Sequence, residues 1–134
     1  MGTAYYPDLE VQIEGYDPAV EVSGKAVARA IEQLDEICER IGQRTLTSFY
    51  SESNAEAYES IGQAPPDDLP EDEGVQWTEP ADGLRTVTAL ADYLRSHTQE
   101  FANPDGILAD LKSFRTVFSN ALAHGTRFRL RIDI

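Results

Sequence analysis

The stretch Thr126 to Ile134 reads Thr-Arg-Phe-Arg-Leu-Arg-Ile-Asp-Ile. Phe128, Leu130, Ile132 and Ile134 fall on one side of an extended chain, with Arg127, Arg129, Arg131 and Asp133 on the other. A period of two marks a half-buried β-strand. A strand with one apolar face must cover that face, and a two-stranded ribbon alone is marginal in water. The chain therefore needs a partner strand and helices to lay over the pair. Leu9, Val11 and Ile13, alternating with Glu10, Gln12 and Glu14, supply a matching pattern at the other end. Pairing the two would set glutamates across from arginines, and each such pair adds about 0.2–1 kcal/mol. The pattern leaves open whether the strands run parallel or antiparallel.

Three long helices are available to cover this sheet. The first begins after the turn Gly15-Tyr16-Asp17-Pro18, with Ser23 as N-cap. Its apolar stripe is Val27, Ile31, Leu34, Cys38 and Ile41, and Gly42 stands at its end. The second has Thr78 or Glu79 as cap, Pro80 in its first turn, and the stripe Leu84, Val87, Leu90, Ala91 and Leu94, fading near His97. The third opens on Asn103-Pro104-Asp105 and carries Ile107, Leu108, Leu111, Phe114, Phe118, Ala121 and Leu122, ending at His124 and Gly125. Ala55, Tyr58 and Ile61 predict a short helix that stops at Gly62. Thr45–Tyr50 and Val75–Thr78 could each add a short extended piece. The expected fold is α+β, with three long helices packed on a small sheet formed by the N- and C-terminal strands.

Between the short helix and the second long one lies residues 63–74, with Pro65, Pro66 and Pro70 among Asp67, Asp68, Glu71, Asp72 and Glu73. Such a composition reads as a solvated acidic loop. It divides the chain without giving either half a core, so residues 1–134 are read as a single domain, as the length also suggests. No Lys or Arg occurs between Arg44 and Arg85.

The net charge is −13. A negative field of that size disfavours nucleic acid and anionic membrane as partners, and suits a basic protein. No apolar run approaches the roughly 20 residues of a membrane span, and the N-terminus lacks the parts of a signal peptide. With a lone cysteine, Cys38, no intrachain disulfide can form. The expectation is a soluble cytoplasmic protein.

Catalytic and metal motifs are not evident. The histidines, His97 and His124, lie near helix C-termini, where they complement the dipole. No His/Cys cluster has metal-ligand spacing, and no cofactor is implied. Cys38 sits on an apolar stripe between acids, the setting of a buried hydrophobe rather than a nucleophile. There is no Gly-x-Ser-x-Gly elbow and no glycine-rich phosphate loop. Residues 67–73 lack the acid spacing and central glycine of a calcium loop. If the arginines of the last strand found no acidic partners, they would form an anion site.

The remaining candidate is a partner-binding patch: Trp77 and Tyr58 as aromatic anchors beside Asp67, Asp68, Glu71, Asp72 and Glu73. The stretch from Trp77 to Ile134 resembles small acidic bacterial proteins of no assigned function. The residues that carry the resemblance are Trp77-Thr-Glu-Pro80-Ala-Asp-Gly-Leu-Arg-Thr-Val87, the helix after them and the ending Ile-Asp-Ile. It implies a bacterial source and no activity. The expected function is a non-catalytic protein-interaction module, an acidic antagonist or immunity-type partner of a basic protein. The alternative is a small-molecule-binding protein or unfamiliar enzyme with a pocket between helices and sheet. A free strand edge would also offer a route to a homodimer.

Overall fold

The computed structural model describes residues 2–134. The two chain ends do pair, as strands β1 (Ala4–Leu9) and β2 (Phe128–Asp133), and they run antiparallel. Leu9 stands opposite Phe128, Pro7 opposite Leu130 and Tyr5 opposite Ile132. The expected strand Leu9–Glu14 is thus corrected: the strand lies earlier and ends at Leu9. Beyond it Glu10 still donates its backbone N–H to Arg127 O at 2.9 Å, but Gln12 and Glu14 face no arginine and Val11 is 63 % exposed. The observed register buries Ala4, Tyr5, Pro7 and Leu9 together, which outweighs the better local alternation downstream.

Proline tolerates this strand because of which way its nitrogen points. The N–H of Glu10 faces β2, whereas that of Tyr5 turns away and donates to Gly24 O at 3.2 Å. Pro7 shares the outward phase of Tyr5, so its missing donor falls on the sheet edge. The outer edge of β2 is used as well: Thr78 exchanges backbone hydrogen bonds with Phe128 (2.7 and 2.9 Å), and Ser51 donates to Leu130 O. The two ambiguous segments of the sequence therefore become edge bridges, with Thr47–Phe49 forming a 3-10 turn just before Tyr50.

The helices are α1 (Pro18–Glu21), α2 (Lys25–Arg29), α3 (Ile31–Arg40), α4 (Asn54–Ser60), α5 (Pro80–Ser96) and α6 (Pro104–Ala123). What the sequence presents as one helix from Ser23 is broken at Ala30 (φ −105°, ψ 12°) into α2 and α3. Alanine does not break helices by itself. The bend lets a single apolar stripe serve two surfaces, since α2 packs on β1 and α6 while α3 packs on α5. Ser23 does not cap α2. Gly24 occupies that position with φ +70°, pressed so close to β1 that a Cβ would overlap the Tyr5 carbonyl. Asp110 of α6 supplies the missing cap, accepting from Val27 N at 3.1 Å. The caps of the later helices match expectation: Asn103 Oδ1 accepts from Gly106 N, and Pro80 and Pro104 stand in first turns.

The apolar faces of β1 and β2 meet α5 and α6 in a continuous core. Phe118 lies 4.2 Å from Phe128 between ring centres, and Phe49 closes on Phe128 edge-on at 5.4 Å. These rings need a gap in α5, and Gly83 provides it: a Cβ there would come within 2.8 Å of both Phe118 and Phe128. Gly83→Ala is therefore expected to lower stability by about 1–3 kcal/mol through overpacking, against the gain in helix propensity. Denaturant unfolding of the two proteins measures the difference.

Candidate functional site

The middle of the arginine face of β2 is covered, while Arg127 stays exposed. Arg129 is 5 % exposed although it belongs to the side read as outward. Its Nε donates to Asp8 Oδ2 at 2.9 Å, and its two terminal nitrogens donate to Glu56 at 2.6 and 3.1 Å. A further bond runs to the carbonyl of Ser51 at 3.2 Å. The Trp77 ring packs against the guanidinium, 5.3 Å from centroid to Cζ. Arg131 also donates to Glu56, and Arg127 forms a fork-to-fork pair with Glu10, both bonds 2.7 Å. The arginines are thus neutralised by Glu10, Asp8 and Glu56, not by the row Glu10, Gln12 and Glu14. No anion site is left on them.

Glu56 is the element the sequence reading missed. It is the third residue of α4, whose N-cap is Ser53. Ser53 Oγ accepts from Glu56 N at 3.1 Å and Glu56 Oε1 accepts from Ser53 N at 2.6 Å, a complete capping box. The Ser-x-x-Glu pattern is visible in Ser53-Asn-Ala-Glu56 and was the available signal. The same carboxylate then reaches across to Arg129 and Arg131. Burial opposes its charge, but the hydrogen bonds from Arg129 and Ser53 and the charges of both arginines prevail and bring it down to about 2.

This linkage turns α4 over. Helices usually bury an apolar stripe; none of the residues of α4 is buried, and the side chain it directs to β2 is a carboxylate. Ala57, Tyr58 and Ile61 are left on the other side. Together with Asn54 and Leu69 they line an open groove of about 490 Å³, with Ile61 68 % exposed.

The loop at 63–74 forms the far wall. It is solvated but not shapeless. Leu69 N donates to Pro66 O and Glu73 N to Pro70 O, so each proline group starts a turn. Both loop ends are tied to α4: Gln63 N donates to Tyr58 O at 2.9 Å, and Asn54 N donates to Glu73 O at 2.7 Å. Gly74, at φ +90°, fits against the Asn54 side chain. Gln76 N is fixed by Ser51 Oγ at 2.8 Å.

Of the patch read from sequence, the structure brings Tyr58 and the loop together. Asp67, Asp68, Glu71, Asp72 and Glu73 are all exposed, and among the described residues none forms an ion pair. Trp77 stands apart from them: it does not line the groove, and its ring is half-buried against Arg129. Leu69, a lone aliphatic in an acidic proline-rich run, carries no periodic signal that would mark it as a wall of the groove.

Elsewhere, Cys38 is fully buried, and burial with the nearby Asp35 charge pushes its thiol up to about 12, so it stays protonated. His97 Nδ1 and His124 Nδ1 lie 2.8 and 2.9 Å from the carbonyls of Tyr93 and Asn120, one turn back in their helices. Among the described residues, no three His, Cys, Asp or Glu side chains gather as a metal site, and no helix is long and apolar enough to cross a membrane. Compared with protein-family models, curated proteins and solved structures, the chain has no match.

Glu56→Gln leaves Arg129 buried with one carboxylate partner fewer, and a loss of about 3 kcal/mol is expected near neutral pH. Because folding holds the Glu56 carboxyl at about 2, below its ordinary 4.5, its charge stabilises the fold above the ordinary value. That contribution disappears as pH falls through this window. Urea titrations of both proteins along the acid range should show their stabilities converging between those two values. A constant gap would refute the assignment.

Proposed function

We propose that this chain is a non-catalytic protein-interaction module, an acidic antagonist or immunity-type partner of a basic protein, and that it engages its target through α4 and the 63–74 loop. One observation carries the reading. Five acids, Asp8, Glu10, Glu56, Asp82 and Asp92, have arginine partners among the described residues, and the unpaired acids are densest at 67–73, where five of seven residues are Asp or Glu. Glu59, Asp67, Asp68, Glu71, Asp72 and Glu73 have none among the described residues. They project from a segment pinned at both ends, within a stretch free of Lys and Arg from 45 to 84. Like charges held this close repel one another, and a cationic surface relieves the repulsion.

The filled interior also supports this reading over a small-molecule or enzyme site between helices and sheet. Phe49, Phe114, Phe118 and Phe128 are at most 1 % exposed, the cavity between α5 and α6 amounts to about 10 Å³, and the concavity of about 400 Å³ between α1 and the strand ends, lined by Ala4, Tyr6, Ala19, Val22, Ser23 and Asp133, is open to solvent.

The test is capture of binding partners from the native host, repeated at rising salt. A basic partner whose binding weakens with salt is expected, because long-range attraction is screened. The loop variant carrying Asp67→Asn, Asp68→Asn, Glu71→Gln, Asp72→Asn and Glu73→Gln should melt as the parent does and bind about tenfold or more weakly at low salt, with a flatter salt dependence. A neutral or acidic partner, or binding indifferent to salt, would count against the proposal.

A further inference from the structure

The groove on α4 adds a second kind of recognition to the same face. We infer that it is an anchoring pocket for one large apolar side chain carried within a Lys- or Arg-rich segment of a partner protein. This deepens the function proposed above and rests on it.

The inference begins with the inverted helix. In α4 the inward contact is ionic, through Glu56 to Arg129 and Arg131, and its stability comes from the capping box and the ties to Glu73. Its apolar residues contribute nothing to the core. Ala57, Tyr58 and Ile61 lie outside the core cluster, yet they gather around one groove. Leu69, on the loop, completes it from the opposite side. Apolar surface gathered into a concavity and rimmed by charge marks a recognition site more than a solvated face. Its volume of about 490 Å³ holds an inserted side chain and the backbone that carries it.

The rim selects the occupant. Asp67 and Asp68 directly precede Leu69, Glu71 to Glu73 follow it, and Glu59 lies between Tyr58 and Ile61. A segment seated here passes several unpaired carboxylates on either side of its anchor. That arrangement favours cations spaced along a chain and rejects nucleic acid, anionic lipid and a second copy of this net-negative protein. The charges then attract and orient the segment, and the apolar insertion holds it, which divides the effects between association and dissociation.

Three synthetic peptides test this by fluorescence anisotropy. One repeats Lys-Gly pairs around a central Leu; the second replaces that Leu by Gly; the third keeps the Leu and replaces every Lys by Gln. The Leu peptide is expected to bind at least about tenfold more tightly than the Gly peptide, and the Gln peptide not to bind measurably. Ile61→Ser and Leu69→Ser should each reduce the advantage of the Leu peptide while leaving the Gly peptide's weaker binding unchanged. Val20→Ser, at an exposed position on α1, should alter neither. Thermal melts check that each variant folds. Equal binding of the Leu and Gly peptides overturns the anchor and leaves the basic-partner reading standing. Equal binding of the Leu and Gln peptides overturns the cationic character of the segment. Binding of none of the three peptides overturns both readings.

Discussion

The contact between Arg129 and Glu56 holds the architecture in place. A guanidinium that is 5 % exposed must find partners for its donors, and here they come from three separate parts of the chain: Asp8 on β1, Ser51 before α4, and Glu56 within it. Such an ion pair adds little net stability relative to well-packed apolar residues. It does specify an arrangement. A one-residue slip of β2 would send Arg129 into the phenylalanine layer and Phe128 into the acids. The register of the terminal strands and the placement of α4 are therefore fixed by the same group.

That fixation gives the molecule two unlike halves. On one side of the sheet, α5 and α6 pack aromatic rings against β2, with Gly83 opening the space they need. On the other, α4 is attached through charge and capping hydrogen bonds, and its apolar residues stay outside. The first side behaves as an ordinary core. The second leaves apolar and acidic surface exposed around the groove lined by Asn54, Ala57, Tyr58, Ile61 and Leu69. Exposing such surface forgoes the burial by which an apolar helix face ordinarily stabilises a fold.

Much of this was legible in the residues. The alternation of Phe128, Leu130 and Ile132 announces β2, and Asn103-Pro104 and Glu79-Pro80 announce the long helices, because these signals are local. For strand β1 the alternation points too far along the chain. Leu9 to Ile13 alternates as cleanly as any strand, while Pro7 argues against Ala4–Leu9 until the direction of its nitrogen is known. The break at Ala30 has no local cause; two packing surfaces impose it. The same holds for the patch. Tyr58 and the loop acids were recognisable by composition, but the capture of Trp77 by Arg129 and the outward turn of Ile61 follow from Glu56 meeting residues 73 and 75 positions away.

Joining the ends of the chain has a kinetic side. Asp8 and Arg129 are 121 positions apart, so almost the whole polypeptide must be enclosed before they meet. The entropic penalty of closing such a loop rises only slowly with its length, but contacts of this separation slow the search for the native state. The helical pair α5 and α6 is local and can form early. Until β2 zips onto β1, however, Arg129 cannot organise Glu56, and α4 has neither its anchor nor its orientation. The placement of α4 on β2 therefore depends on the long-range pairing of the chain ends, whereas its capping box and its backbone tie to Glu73 are local.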